Sequence, residues 1–215
     1  MSLPFAAPDA AHRHCLTAVR AADRARFLAG LFAPEGVRRR LFALAAFEIE
    51  LGRTRLVTSE PMLGRIRLEW WREALREAGG AGAPRAVPVA QALAEALRAS
   101  GSDAGPLIAM VDAREAELEG DLDIDGYATA AAAVATGFVG VGDPHTLEVV
   151  GAIARARLTE DAAARAALVD GARAMARRPD PRALPLVLDA VALARPPAPW
   201  RLPLAIWWAA QTGRW

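Results

Sequence analysis

Fifty-two of the 215 residues are alanine, and they are spread along most of the chain. Alanine has no side-chain rotamers to lose in a helix and heads every helix-propensity ranking. Strand-like alternation persists nowhere for more than a few residues. The chain is therefore predicted to be all-α. With 53% hydrophobic and 24% charged residues, global disorder is excluded. The length suits one large domain or two small ones, and a single domain over residues 1–215 is expected.

Composition closes several chemistries. All 26 basic residues are arginine, so neither a Schiff-base lysine nor a phosphate-loop lysine is available. The joint alanine and arginine bias reads as the mark of a GC-rich bacterial genome. A net charge of +1 creates no field for nucleic acid. Cys15 has no partner for an internal disulfide, and with only His12, His14 and His145 a zinc site is not expected. The first twenty residues include Asp9, Arg13 and Arg20 and no apolar core, so no signal peptide is expected. The longest uncharged run, Gly126 to Gly142, is rich in alanine and glycine and reads as a buried, closely packed helix. These features point to the cytoplasm, with peripheral membrane contact still open.

Breakers and caps divide the chain into helices. Helices are expected from Pro8 to Ala22, Arg24 to Phe32, Pro34 to Arg55 and Ser59 to Ala78, before a Gly/Ala/Pro linker that ends at Pro88. Further helices are expected at 89–99, 104–119, 127–141, 144–158, 160–178, 181–194 and 202–211. The fourth helix is read with Ile66, Trp70 and Leu75 inward and Trp71 outward.

Carboxylates are the remaining catalytic candidates. Two acids three or four residues apart on one helix face can share a hard cation with a diphosphate. Glu48 and Glu50 miss that spacing, whereas Asp112, Glu115 and Glu119 satisfy it. A solvated helix face accounts for the same pattern. Arg38, in the triplet Arg38-Arg39-Arg40, is the arginine placed to grip a diphosphate. Asp121, Asp123 and Asp125 read as cap and turn residues. Trp71, flanked by arginines, and Trp207 and Trp208, near Trp200 and Trp215, suggest a protein partner or membrane surface. Burial of those tryptophans in a bundle core is the alternative.

Several segments together resemble the squalene/phytoene synthase family. They are Arg26-Phe-Leu-Ala-Gly-Leu-Phe-Ala-Pro34, Leu41 to Phe47, Ser59 to Arg72, Pro88-Val-Ala90, Asp112-Ala-Arg-Glu115 and Asp125-Gly-Tyr127. The resemblance implies an all-α, isoprenoid-synthase-like helical bundle, truncated in its C-terminal half. It also implies head-to-head joining of prenyl diphosphates on two aspartate-rich magnesium motifs. Those motifs are missing: Gly52, Arg53 and Leu56 stand where the first set of aspartates belongs, and nothing matches the second.

The string Ala46-Phe-Glu-Ile-Glu-Leu-Gly52, the run Arg65 to Trp71, and Leu202-Pro-Leu204 with Trp207 are similar to a degenerate branch of the family. That branch serves respiratory complex I assembly. The resemblance implies a non-catalytic helper with no catalytic residues, no metal and no cofactor, working with a protein partner or membrane surface. The alternatives are a condensing transferase with unusual ligands and a module that holds an isoprenoid lipid without turnover.

Overall fold

A computed structural model describes residues 8–57, 61–176 and 180–215. Ser59 and Glu60, two residues of the expected helix start, lie outside the described residues. All regular elements among the described residues are helical. They are α1 (Pro8–Ala22), α2 (Arg24–Gly30), α3 (Glu35–Val57), α4 (Pro61–Gly79), α5 (Pro88–Ser100) and α6 (Gly105–Glu119). There follow α7 (Ile124–Val139), α8 (Pro144–Leu158), α9 (Ala162–Met175), α10 (Leu184–Val187), α11 (Ala190–Ala194) and α12 (Leu202–Thr212).

Local chemistry sets the ends of these helices. Asp23, Asp123, Asp143 and Asp161 are N-caps, each accepting a backbone N–H three residues on. Asp123 caps α7 at Ile124, earlier than the expected start at Tyr127. Gly101, Gly140 and Gly213 end α5, α7 and α12 with positive φ, a conformation glycine adopts without a steric penalty.

The single helix expected over 181–194 is broken into a 3-10 turn at Pro181–Ala183, α10 and α11. Pro185 has no N–H to give the carbonyl four residues back, and the chain turns again at Leu188 and Asp189.

Packing follows the alanine content. α7 carries the uncharged run and lies against α6 and α8, with further contact to α3 and α5. The middle of its buried face is mostly small, including Ala128, Ala131, Ala132 and Ala135, with Tyr127 and Phe138 toward the two ends. α1 packs on α3 and α5, α4 on α5 and α6, and α9 on α8 and α11. Larger side chains such as Phe47, Leu68, Leu93, Met110, Phe138 and Ile153 fill the remaining core.

The phase of α4 differs from the expectation by about one residue. Its inward stripe is Gly64, Leu68, Trp71, Leu75 and Ala78, at spacings of three and four. Trp71, expected on a partner-facing surface, is 3% exposed and meets Phe47 edge-on at 5.1 Å between ring centroids. Trp70, expected in the core, is half-buried beneath the Arg85 guanidinium, 5.1 Å from its ring centroid. Ile66, also expected inside, is exposed. Two neighbouring tryptophans leave the phase ambiguous, and packing resolves it. Gly64 comes so near α6 that an added Cβ would lie 2.8 Å from Leu118.

Candidate functional site

The site of interest is a charged interior between α2, α3, α6, α7 and α8. α3 presents Leu41, Ala45, Glu48 and Gly52 at helical spacing toward the molecular centre, so Glu48 is an acid on an otherwise apolar stripe. It accepts a hydrogen bond from Arg26 of α2. Arg157 of α8 clamps the buried Asp189 with two bonds, at 2.7 and 2.8 Å, and also donates to the Leu186 carbonyl at 3.0 Å. Arg114 of α6 donates to Glu117 at 2.8 Å, and its guanidinium lies over the Tyr127 ring, 4.9 Å from the centroid.

The electrostatics follow from burial and pairing. Burial pushes Arg26 down, but the carboxylates of Glu48, Asp23 and Asp189 outweigh it and hold the guanidinium above its ordinary range. Burial, reinforced by the charge of Glu48, pushes the Tyr127 phenol up. Its hydroxyl is buried and has no hydrogen-bond partner of normal geometry.

Two cavities touch this network. One, of about 40 Å3, lies between Phe42, Ala135, Pro185 and the Arg26–Glu48 pair. The other, of about 180 Å3, is walled by Ile49, Arg114, Tyr127, Ala131 and Leu158. Both fall below the roughly 300 Å3 at which small-molecule sites usually begin.

The donor set does not fit a magnesium–diphosphate site. Each carboxylate that lines these cavities is already engaged: Glu48 by Arg26, Asp189 by Arg157, and Asp23 by the backbone of Arg26. At Gly52, which the resemblance matches to an aspartate of the first acidic motif, an added Cβ would lie 3.9 Å from an Arg114 nitrogen. Arg53 reaches Glu50 at 3.3 Å, and the Leu56 side chain lies outside the described residues. A cation held there would face guanidinium groups, which repel it and cannot ligate it.

The residues expected to bind substrate are placed elsewhere. Arg38 donates through two nitrogens to the Ala33 carbonyl, at 3.3 and 3.1 Å, closing the turn before α3. It also lines a groove with His12, Leu16 and Phe42. Arg38 is fourteen residues from Gly52, about 21 Å along the helix. Asp112 and Glu115 both accept from Arg72 of α4, Asp112 at 2.7 Å, and Glu69 shares the same guanidinium. They form an outer α4–α6 ion cluster, apart from Arg38 and from the charged interior. The Glu119 side chain lies outside the described residues. Trp207 and Trp208, by contrast, are 51% and 61% exposed.

Spacing between like acids did not lead to Arg26, Glu48, Arg114, Tyr127, Arg157 or Asp189. A usable signal was present: Glu48 shares a stripe with Leu41 and Ala45, and Arg157 one with Val150, Ile153 and Ala154. A charge embedded in an apolar stripe calls for a buried counter-charge.

The fold and this interior define an all-α, isoprenoid-synthase-like protein whose centre is built from paired arginines and carboxylates. Residues 19–136 match the squalene/phytoene synthase family, and the chain belongs to that family. It is similar to "NADH dehydrogenase (ubiquinone) complex I, assembly factor 6" of Rattus norvegicus, with 31% identity over 112 residues. That match covers 52% of this chain and 33% of the relative. The Bos taurus protein of the same name is 31% identical over 107 residues, covering 50% and 32%. For the Homo sapiens protein the figures are 30% over 106 residues, covering 49% and 32%. The matched region thus spans about a third of each relative's length. No solved structure matches the chain.

Proposed function

We propose that this chain acts as one all-α unit, without prenyltransferase chemistry, as a helper in respiratory complex I assembly or a closely related membrane-side task. One observation carries the reading. Where the family's first acidic motif belongs, the chain has Gly52 beside Arg114, and the nearby carboxylates are bound by arginines. Such a centre repels magnesium and has no free carboxylate to ligate it. The small cavities support the same reading, because a long isoprenoid chain would have to displace packed side chains. The names of the relatives supply the process and, with it, a protein partner. Among the described residues no helix is long and apolar enough to cross a membrane.

Two measurements test this. The purified protein with magnesium and farnesyl or geranylgeranyl diphosphate is expected to yield no squalene or phytoene above a no-protein control. Product formation would restore the condensing-transferase reading. In the native organism, deleting the gene is expected to lower NADH:ubiquinone oxidoreductase activity and the amount of assembled complex. Unchanged activity and assembly would remove the helper role.

A further inference from the structure

We propose that the outer face of α12, with Trp200 just before it, is a docking surface for the interface of an anionic lipid bilayer. The proposal rests on the membrane-side part of the reading above and names the surface that serves it. α12 has two unlike sides. Leu202, Ile206 and Ala209 are buried, and the helix packs on α2 and α11. Trp215 folds back into the core, and its carbonyl accepts from Arg173 of α9. The helix is therefore held on the protein body from both ends. On its other side Leu204, Trp207 and Trp208 recur at spacings of three and four and stand in solvent at 63%, 51% and 61% exposure, beside Trp200 at 68%. Covering the core requires only the inner side, so folding does not account for the outer one.

Charge selects the occupant. After Asp189 the sequence has no acidic residue, and its arginines, Arg195, Arg201 and Arg214, are all exposed. Arg201 lies over the Trp200 ring, 4.6 Å from its centroid. α2, which packs against α12, adds an exposed Arg24 and contains no acid. Two acids stand nearby, Asp23 at the N-cap of α2 and Asp170 on the Arg173 guanidinium, against Arg24, Arg195, Arg201 and Arg214. An apolar face with this net positive rim complements an anionic headgroup layer. It does not complement a second copy of itself, because pairing two such faces would bring the arginines together. Tryptophan suits the bilayer interface, where its ring is apolar-solvated and its N–H meets a polar neighbour. The 11 residues of α12 rise about 16 Å, too short to span the hydrocarbon and long enough to lie in its surface.

The test uses the full chain with vesicles of phosphatidylglycerol in phosphatidylcholine, and with pure phosphatidylcholine as the comparison. Co-sedimentation and a blue shift of tryptophan emission are expected with the anionic vesicles, with weaker binding at high salt. Trp207→Ser/Trp208→Ser is expected to weaken binding at least tenfold while its helical circular dichroism and melting temperature stay unchanged. Arg195→Gln/Arg201→Gln/Arg214→Gln should weaken it by roughly fivefold per arginine, and only toward anionic vesicles. No binding by the wild type, or binding that survives the tryptophan variant, would overturn the proposal. So would concentration-dependent dimerisation that the tryptophan variant abolishes, which would assign the face to a second copy. Because the assay contains no protein partner, its failure is distinct from failure of the assembly role.

Discussion

At the residue scale the interior is decided by whether each polar group has a partner. Glu48 neutralises Arg26 in a largely buried pair, and truncating one member of such a pair leaves the other charge uncompensated. Glu48→Ala is expected to cost about 3–5 kcal/mol in a denaturant titration. Tyr127→Phe in the same cavity removes a hydroxyl that has no hydrogen-bond partner of normal geometry and keeps the ring beneath Arg114, so its cost should stay below about 1 kcal/mol. Equal losses would show that the Tyr127 hydroxyl is bound. Cys15 illustrates the same rule for titration: burial on α1 pushes its thiol up to about 12. The unfolded thiol ionises near pH 8.5 and the folded one does not, so this contribution is complete at neutral pH and is lost as pH rises toward 12. Cys15→Ala should therefore lose on the order of 2 kcal/mol less than the wild type between pH 7 and pH 10, measured by chemical denaturation.

At the scale of elements, helix phase matters more than helix existence. α4 was legible as a helix from its proline and its apolar periodicity, but its inward face was not. Trp70 and Trp71 differ by 100° on the helix, and either could have faced the core. Contact with α5 and α6 places Trp71 inside against Phe47 and leaves Trp70 for Arg85. Trp71→Ala is expected to cost about 3–5 kcal/mol through the cavity it opens, and Trp70→Ala clearly less. Similar losses for both variants in urea would refute this phase. The burial of α7 was legible, because an uncharged stretch of alanine and glycine has no polar face to offer water, but its start at Ile124, capped by Asp123, was not.

At the scale of the whole molecule, the helical frame encloses a centre of paired arginines and carboxylates. The frame brings α2, α3, α6, α7 and α8 together, and arginines hold the carboxylates that remain. Adding magnesium with inorganic diphosphate should leave the melting temperature unchanged. A functional site filled at 100 times its Kd would add about 2.7 kcal/mol, and a shift of that size would contradict the arginine-blocked centre.

The sequence by itself determined that the chain is helical and where most helices begin and end. These are local properties: propensity, capping, proline chemistry and residue identity act within a few positions. It also placed Trp207 and Trp208 on one face of the last helix, which the structure leaves in solvent. Only the tertiary structure decided that Glu48 meets Arg26 and that Arg157 meets Asp189, pairs separated by 22 and 32 residues. The same holds for Asp112 and Glu115, which have the spacing of cation ligands but answer to Arg72, 40 and 43 residues away. Spacing along a helix defines a face, but the charge opposite that face comes from a distant segment, so packing alone decides what the face can do.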